Sequence, residues 1–251
     1  MISKNKISEI RKLHQKKFRD LERLFLVEGR KSVKVLLDSA YTMLEIYATE
    51  EALSLNSAWL PAGITTMVSP REMESISALK TPPEILAVAR QADSQIPLPQ
   101  DKPLIVLDHI ADPGNLGTIV RTADWLDFGH IVCTNDCVEL YNPKTIQATM
   151  GSFAHVNVQY ADVEPLLRTM QPARRVIGAF MEGQDLADFP FHSNDILLFG
   201  NEANGVSEKL SALVTHKVSI PCLARNRACA ESLNVSVAAA VIMYRFATSR
   251  T

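Results

Sequence analysis

A chain of 251 residues, 47% of them hydrophobic, can build one large buried core or two modest ones. No apolar run approaches the ~20 residues that a membrane span needs, so a soluble globular protein is expected. The formal net charge of −2 hides a skew, because residues 1–34 carry eleven Lys/Arg against four Asp/Glu and the remainder is correspondingly acidic. Such asymmetry points to a polyanion meeting the N-terminal part, the plain alternative being a solvated basic helix face.

Four cysteines stand at 133, 137, 222 and 229, in C-x3-C and C-x6-C spacings with no histidine in helical register. These match zinc patterns poorly, and packed thiols are the default, with no metal expected. Lys and Arg recur every few residues at the N-terminus, which therefore lacks the apolar stretch of a signal peptide. A cytoplasmic location with reduced thiols is the expectation.

In chain order, Ile7, Ile10 and Leu13 fall at helical spacing among basic residues and predict an amphipathic helix over 3–15 with a cationic face. Residues 24–27 read as a buried strand, followed by a helix over 31–38 and strands at 44–48 and 65–68. Ser69, Pro70 and Glu72 mark a capped helix start, and 85–89 is again a strand. This alternation predicts a small α/β domain over 1–92. Residues 93–103 hold prolines at 97, 99 and 103 without apolar periodicity, and suit a semi-stiff linker.

From Leu104 onward strand and helix alternate: strand 104–107, helix 115–127, strand 130–134, helix 143–150, strand 154–159, helix 162–170, strands 175–181 and 196–199, helix 207–214, strand 217–220, helix 231–247. The second domain, 104–251, is therefore expected to hold a mainly parallel sheet with helices on both faces. Ligands of such sheets sit beyond the carboxyl ends of the strands.

Three stretches fall there. The first, L-D-H-I-A-D-P-G-N-L-G-T-I-V-R-T-A-D over 107–124, joins a strand to a helix through two glycines. It is neither G-x-G-x-x-G nor a P-loop. Its Arg121, taken alone, could simply pair with Asp124 or Asp127. The second, F-G-N-E-A-N-G-V over 199–206, brings Asn201 and Glu202 out at a strand end, which an ordinary turn would also do. The third, E-S-L-N-V-S-V-A-A-A over 231–240, sets Ser232 and Asn234 in the polar first turn of an almost wholly apolar helix. A plain buried helix does not account for those two polar residues.

Together and in this order, the stretches resemble the three motifs of the SpoU/TrmH family of RNA 2′-O-ribose methyltransferases. The N-terminal L-H-Q-K-K-F-R-D…L-F-L-V-E-G-R-K-S-V also resembles that family's small ribosomal-protein-like accessory domain, so the likeness covers nearly the whole chain. It implies a SPOUT-like α/β domain with a deep trefoil knot, and S-adenosylmethionine as cofactor. The partners it implies are structured RNA, ribosomal before transfer RNA, and a second copy bound through the methyltransferase domain, with no membrane. Val235, Ala239, Ile242 and Phe246 are the expected contributors to that homodimer contact.

Residue by residue, the resemblance assigns Asn115, Arg121, Glu202, Ser232 and Asn234 to the catalytic pocket. Phe199, Gly200, Asn201, Ile220 and Leu233 fall at cofactor positions, while Lys12, Lys16, Lys17, Arg19 and Arg30 are candidate RNA contacts. The loop between Ile220 and Glu231 is longer than in many relatives and lacks their usual glycine. The family assigns Arg121 to nucleophile activation, yet a guanidinium does not give up its proton in a protein. Holding a phosphate and stabilising a developing alkoxide suits it better, with Glu202 holding Arg121 or the second-motif loop. A noncatalytic RNA-binding factor would keep the basic segment and lose the motif residues, and a nucleotide-dependent enzyme would need a phosphate loop. Neither pattern is found.

Overall fold

The computed structural model describes residues 2–93, 96–224 and 230–249. Its contacts divide the chain into two compact units, Met1–Asp93 with Glu139–His155, and Ser94–Val138 with Val156–Thr251. A single cut near residue 100 leaves 139–155 in the second half, whereas its contacts belong to the first unit.

The first unit opens with α1 (Lys4–Lys12) and α2 (Lys16–Glu22), followed by β1 (Leu24–Glu28), α3 (Arg30–Leu37), β2 (Met43–Ala48) and α4 (Glu50–Asn56). It continues with β3 (Thr65–Met67), α5 (Pro70–Ile76) and β4 (Ile85–Arg90). The helix expected over 3–15 ends at Lys12, and a second helix not expected from the pattern follows from Lys16, because the chain turns between Leu13 and Gln15. Ser3 caps α1 by accepting from the Lys6 amide, and Ile10 and Leu13 are buried while the lysines face out. The capping box at Ser69 and Glu72 forms as the spacing predicts. The strand order is β1-β4-β2-β3, with β3 parallel to β2 and the other pairs antiparallel. Ile10, Leu26, Tyr47, Met73 and Leu86 share one core.

The second unit begins with β5 (Leu104–Leu107), α6 (Pro113–Trp125) and β6 (His130–Thr134). The next helix, α7 (Pro143–Thr149), packs on β1 in the first unit. Then come β7 (Asn157–Ala161), α8 (Val163–Met170), β8 (Val176–Asp185), β9 (Ile196–Phe199), α9 (Glu208–Ser211), β10 (His216–Ser219) and α10 (Val235–Thr248). The six strands lie in the order β10-β8-β9-β5-β6-β7, and every pairing is parallel. All four residues of β5 are buried, as a strand covered on both faces requires. Each such aliphatic side chain contributes about 1.5–3 kcal/mol by leaving water.

β7 starts at Asn157, three residues later than periodicity suggests, because Met150 and Gly151 take positive φ and a 3-10 turn fills Ser152–Ala154. α10 starts at Val235, so Glu231, Ser232 and Leu233 lie in the loop before it rather than in its first turn, and Asn234 is its cap. The four residues expected to form the homodimer contact turn inward instead. Val235, Ala239, Ile242 and Phe246 are at most 8% exposed, and the Phe246 ring lies 5.3 Å from Phe128 and 5.2 Å from Phe191. The opposite face, Val237, Val241 and Tyr244, is open, about half a helical turn out of phase.

The described part of the expected linker is docked on the second unit. Arg174, 2% exposed, donates to the carbonyls of Pro99 at 3.0 Å, Lys102 at 2.7 Å and Asn194 at 2.8 Å. Gln159 also donates to the Ile96 carbonyl at 2.6 Å. Cys133 and Cys137 are buried free thiols, while Cys222 is disulfide-bonded, a departure from the reduced state expected for all four. Covalent pairing depends on where a loop carries its sulfur, which spacing does not encode. Cys229 lies outside the described residues.

Candidate active site

The three motif loops of the second unit meet beyond the carboxyl ends of the strands. After β5, Asp112 caps α6 by accepting from the Asn115 amide at 2.9 Å, with Pro113 at the first helical turn. This places Asn115 one turn into α6 with its side chain half-buried. Asn115 Nδ2 donates to Glu202 Oε1, and Asn115 Oδ1 accepts from Asn234 Nδ2 at 3.0 Å.

The polarity of this chain is set by a helix cap. Asn234 Oδ1 accepts from the Ser236 amide at 2.9 Å, the Ser236 hydroxyl at 2.6 Å and the Val237 amide at 3.4 Å. Its amide nitrogen must therefore face Asn115, whose oxygen turns to receive it and whose nitrogen is left for Glu202. One residue from each motif is joined in a directed series, Asn234 to Asn115 to Glu202.

The second-motif loop closes on itself. Asn201 and Gly205 exchange two backbone hydrogen bonds of 2.9 Å, and Gly205 sits at φ +68°. A Cβ on Gly200 would lie 2.2 Å from the Gly205 carbonyl carbon, so only glycine allows this closure. Asn201 Oδ1 accepts from the amides of Ala203 and Asn204 at 2.9 and 3.1 Å, and its Nδ2 donates to the His109 carbonyl at 2.8 Å. The Asn201 side chain is thus spent on shaping the loop, and Phe199 is buried to 1%, which leaves both only main-chain atoms for a ligand.

Of the other expected site residues, Ile220 is half-buried just past β10, and Leu233 is 51% exposed. Ser232 is exposed and makes no hydrogen bond among the described residues. Arg121 is exposed on α6, within the segment that follows the first-motif turn. Glu202 holds Asn115 rather than Arg121.

The first unit carries the basic residues. Lys12, Lys16, Lys17 and Arg30 are exposed, and the Lys12 and Lys17 ammonium groups each lie 5.8 Å from the Phe18 ring centre. Arg19 overturns its assignment as an RNA contact. It is 2% exposed, donates to the Leu13 carbonyl at 2.7 Å and pairs with Glu139, which draw it inward off the cationic surface.

A group beside the first motif carries more polar chemistry than the motif patterns reveal. His109 has φ +56°, its amide donates to Thr134 Oγ1 at 2.9 Å, and its Nδ1 lies 2.9 Å from Asp136 Oδ2. The Thr134 hydroxyl, and after it His109, hold the Asp136 carboxyl below its ordinary value. Cys137, whose sulfur accepts from the Ile110 amide at 3.2 Å, has its thiol brought down to about 7, chiefly by the hydrogen bond from Cys133. The signal that could have found this group is an aspartate within two residues of the ends of three neighbouring strands, Asp108 after β5, Asp136 after β6 and Asp162 after β7. Among the described residues no group of three or more His, Cys, Asp or Glu could hold a metal ion. None of the described helices is long and apolar enough to cross a membrane.

Comparison with known proteins places this geometry. Residues 102–244 match the family described as SpoU rRNA Methylase, and residues 4–87 match the MRM3-like substrate binding domain. The chain is 30% identical over 242 residues to the 23S rRNA (guanosine(2553)-2'-O)-methyltransferase RlmP of Bacillus subtilis, covering 95% of this chain and 94% of that one. A TrmH-family structure from Porphyromonas gingivalis superposes with a TM-score of 0.86 at 30% identity, covering 98% of each chain. An AdoMet-bound rRNA methyltransferase from Sinorhizobium meliloti superposes with a TM-score of 0.82 at 26% identity, covering 98% of this chain and 95% of that one.

Proposed function

Because the chain belongs to the SpoU rRNA Methylase family, we propose that it transfers a methyl group from S-adenosylmethionine to a ribose 2′-hydroxyl of structured RNA, ribosomal before transfer RNA. The observation that carries this reading is the Asn234–Asn115–Glu202 series, which brings the three motifs to one place. The chain's likeness to RlmP over nearly its whole length favours ribosomal RNA.

The residues present fit the cofactor. Between β10 and α10, Leu223 and Leu233 are 84% and 51% exposed, apolar side chains available to an adenosine moiety. Gly200, Ile220 and Leu233 would hold it, with Phe199 and Asn201 contributing main-chain atoms. When bound, the sulfonium supplies the methyl group for in-line displacement. Asn115 and Asn234 fix the orientation of the nucleophile's surroundings, Ser232 stands free to hydrogen-bond the ribose, and Glu202 anchors Asn115. Arg121, exposed on α6, grips the adjacent phosphate and stabilises the developing alkoxide.

The first unit captures RNA through Lys12, Lys16, Lys17 and Arg30, and the second performs the chemistry. The protein works in the cytoplasm as a homodimer, its contact built on Trp125, Val237, Val241 and Tyr244, which are 88, 49, 40 and 62% exposed on α6 and α10. The deep trefoil knot belongs to the same reading.

Calorimetry of the full chain with S-adenosylmethionine should show saturable binding, and ribose-methylation mapping of RNA from a deletion strain should show one lost mark that the purified protein restores. A folded protein that binds the cofactor but restores no mark would sink the assignment in favour of a noncatalytic RNA-binding factor.

A further inference from the structure

The second-motif turn over 200–205 is tied to the residue just past β5 by a side-chain hydrogen bond, from Asn201 Nδ2 to the His109 carbonyl at 2.8 Å. Asn201 Oδ1 already accepts from the Ala203 and Asn204 amides, so the sense of its amide is fixed and the carbonyl must come to it. Where that carbonyl points is decided by the His109 backbone, which sits at φ +56°. The left-handed region costs free energy for a residue with a Cβ, and a turn persists there only where its surroundings impose it.

Here the surroundings form a closed ring of hydrogen bonds with one sense. A carboxylate only accepts, so the His109 Nδ1 that lies 2.9 Å from Asp136 Oδ2 carries the proton and donates. The Thr134 hydroxyl donates to Asp136 Oδ1, which leaves the Thr134 oxygen to accept from the His109 amide at 2.9 Å. His109 is therefore gripped twice by the end of β6, at its main-chain nitrogen and at its imidazole. Thr134 is the last residue of β6, while His109 and Asn201 each stand two residues past the ends of β5 and β9, the strands next to it in the order β9-β5-β6. The grip thus passes across three neighbouring strands to the turn that holds Gly200 and Glu202, and through Glu202 to Asn115.

We propose that His109 is a positioning residue for methyl transfer: clamped by Asp136 and Thr134, it sets its carbonyl where Asn201 meets it and so keeps the 200–205 turn in the form that takes S-adenosylmethionine. It acts through Asn201 and not on the reacting atoms. The assignment rests on the RNA methyltransferase reading above. Histidine suits the place because it is among the few side chains enriched at positive φ and carries an N–H two atoms beyond Cβ, and asparagine shares both properties. His109 and Asp136 are 54% and 56% exposed, so the clamp has the strength of a surface pair. Its loss lowers the fraction of molecules whose turn is ready for the cofactor, and the apparent affinity falls by that fraction.

The test compares His109→Gly, His109→Ala and His109→Asn with the parent full chain, by calorimetry with S-adenosylmethionine, amide hydrogen exchange of the cofactor-free protein and a thermal melt. Glycine takes positive φ without strain and has no imidazole, so it removes the clamp alone. His109→Gly should bind the cofactor about fivefold more weakly, the upper range for an exposed pair. Its Asn201 and Gly205 amides, which close the turn at 2.9 Å, should exchange faster by about the same factor. His109→Ala adds backbone strain to the lost clamp and should bind about tenfold more weakly or worse. His109→Asn should stay within about twofold of the parent in both affinity and exchange. Parent-like affinity and exchange in His109→Gly would overturn the proposal, as would a loss in His109→Asn equal to that in His109→Gly. A fall in affinity that follows the melting temperature, with exchange over 200–205 no faster than in the rest of the second unit, would overturn it too, because general loosening would then account for the effect. Faster exchange in His109→Gly and its recovery in His109→Asn, in a protein whose parent binds no S-adenosylmethionine, would leave His109 bracing the turn and sink the methyltransferase reading.

Discussion

The cationic helices of the first unit and the motif loops of the second use polar residues in opposite ways. Lys12, Lys16 and Lys17 stand exposed on α1 and α2, each free to move and each replaceable by another cation. Asn234, Asn115 and Glu202 are bound to one another in a fixed direction by a helix cap, so none can be exchanged without turning its neighbour. Long-range attraction needs only net charge in roughly the right place, whereas orienting a nucleophile needs hydrogen bonds of defined sense. Arg19 and Arg121 test the distinction, since each behaves unlike its sequence neighbours.

The largest effect is expected at Arg121. Arg121→Ala should lower single-turnover methyl transfer by about 10²–10³-fold, as loss of a transition-state donor does, with the melting temperature and cofactor affinity unchanged. Arg121→Lys should recover little, because a point charge does not reproduce the planar fork. Near-normal turnover in Arg121→Ala would return it to the class of interchangeable surface cations.

Arg19→Ala should act on stability instead. Burial presses its guanidinium pKa down, and removing it leaves Glu139 without its partner, a loss of about 3–5 kcal/mol in denaturant unfolding. Lys16→Ala beside it should leave stability unchanged and reduce the salt slope of RNA binding by about one. If Arg19→Ala instead lowered only the salt slope, its inward pairing would be refuted.

Asn234→Asp separates the cap from the network. Aspartate caps helices as well as asparagine, so the melting temperature should hold, yet it has no N–H to give Asn115, and turnover should fall about tenfold. Asn234→Ala should show the same loss of turnover together with about 1 kcal/mol of lost stability. Equal turnover in the aspartate variant and the parent would show that the direction of the series is irrelevant.

The smallest effect concerns pH. The Thr134 hydroxyl, then His109, depress the Asp136 carboxyl, so its folded pKa lies below its unfolded one. Its contribution to stability is complete above the ordinary value of about 3.9 and is lost as pH falls through the lowered folded value. Asp136→Asn should therefore lose a small increment of stability at neutral pH and flatten the acid limb, the two proteins converging as pH falls through the lowered folded value. An acid limb identical in the two proteins would mean that the exposed pair adds nothing.

Much of this molecule is determined by local pattern. The apolar run at 104–107, the pure hydrophobics at 196–199 and the Ser69–Pro70–Glu72 cap each specify an element through backbone preference and burial, and each forms where the residues predict it. The motif residues could be named from their resemblance to a known family's three motifs, and loops at the carboxyl end of a parallel sheet are where ligands sit. Tertiary structure alone decided the rest. Whether Arg19 faced water or Glu139 depended on a carboxylate 120 residues away, and the inward turn of Val235, Ala239, Ile242 and Phe246 depended on aromatic rings brought to α10 from other elements. The docking of 96–103 depended on buried Arg174 and on Gln159, whose carbonyl partners Pro99, Lys102 and Ile96 lie far away in sequence. The direction of the Asn234–Asn115–Glu202 series has the same origin. Hydrogen-bond sense is a property of groups that meet only after the chain has folded, so no spacing along the sequence contains it.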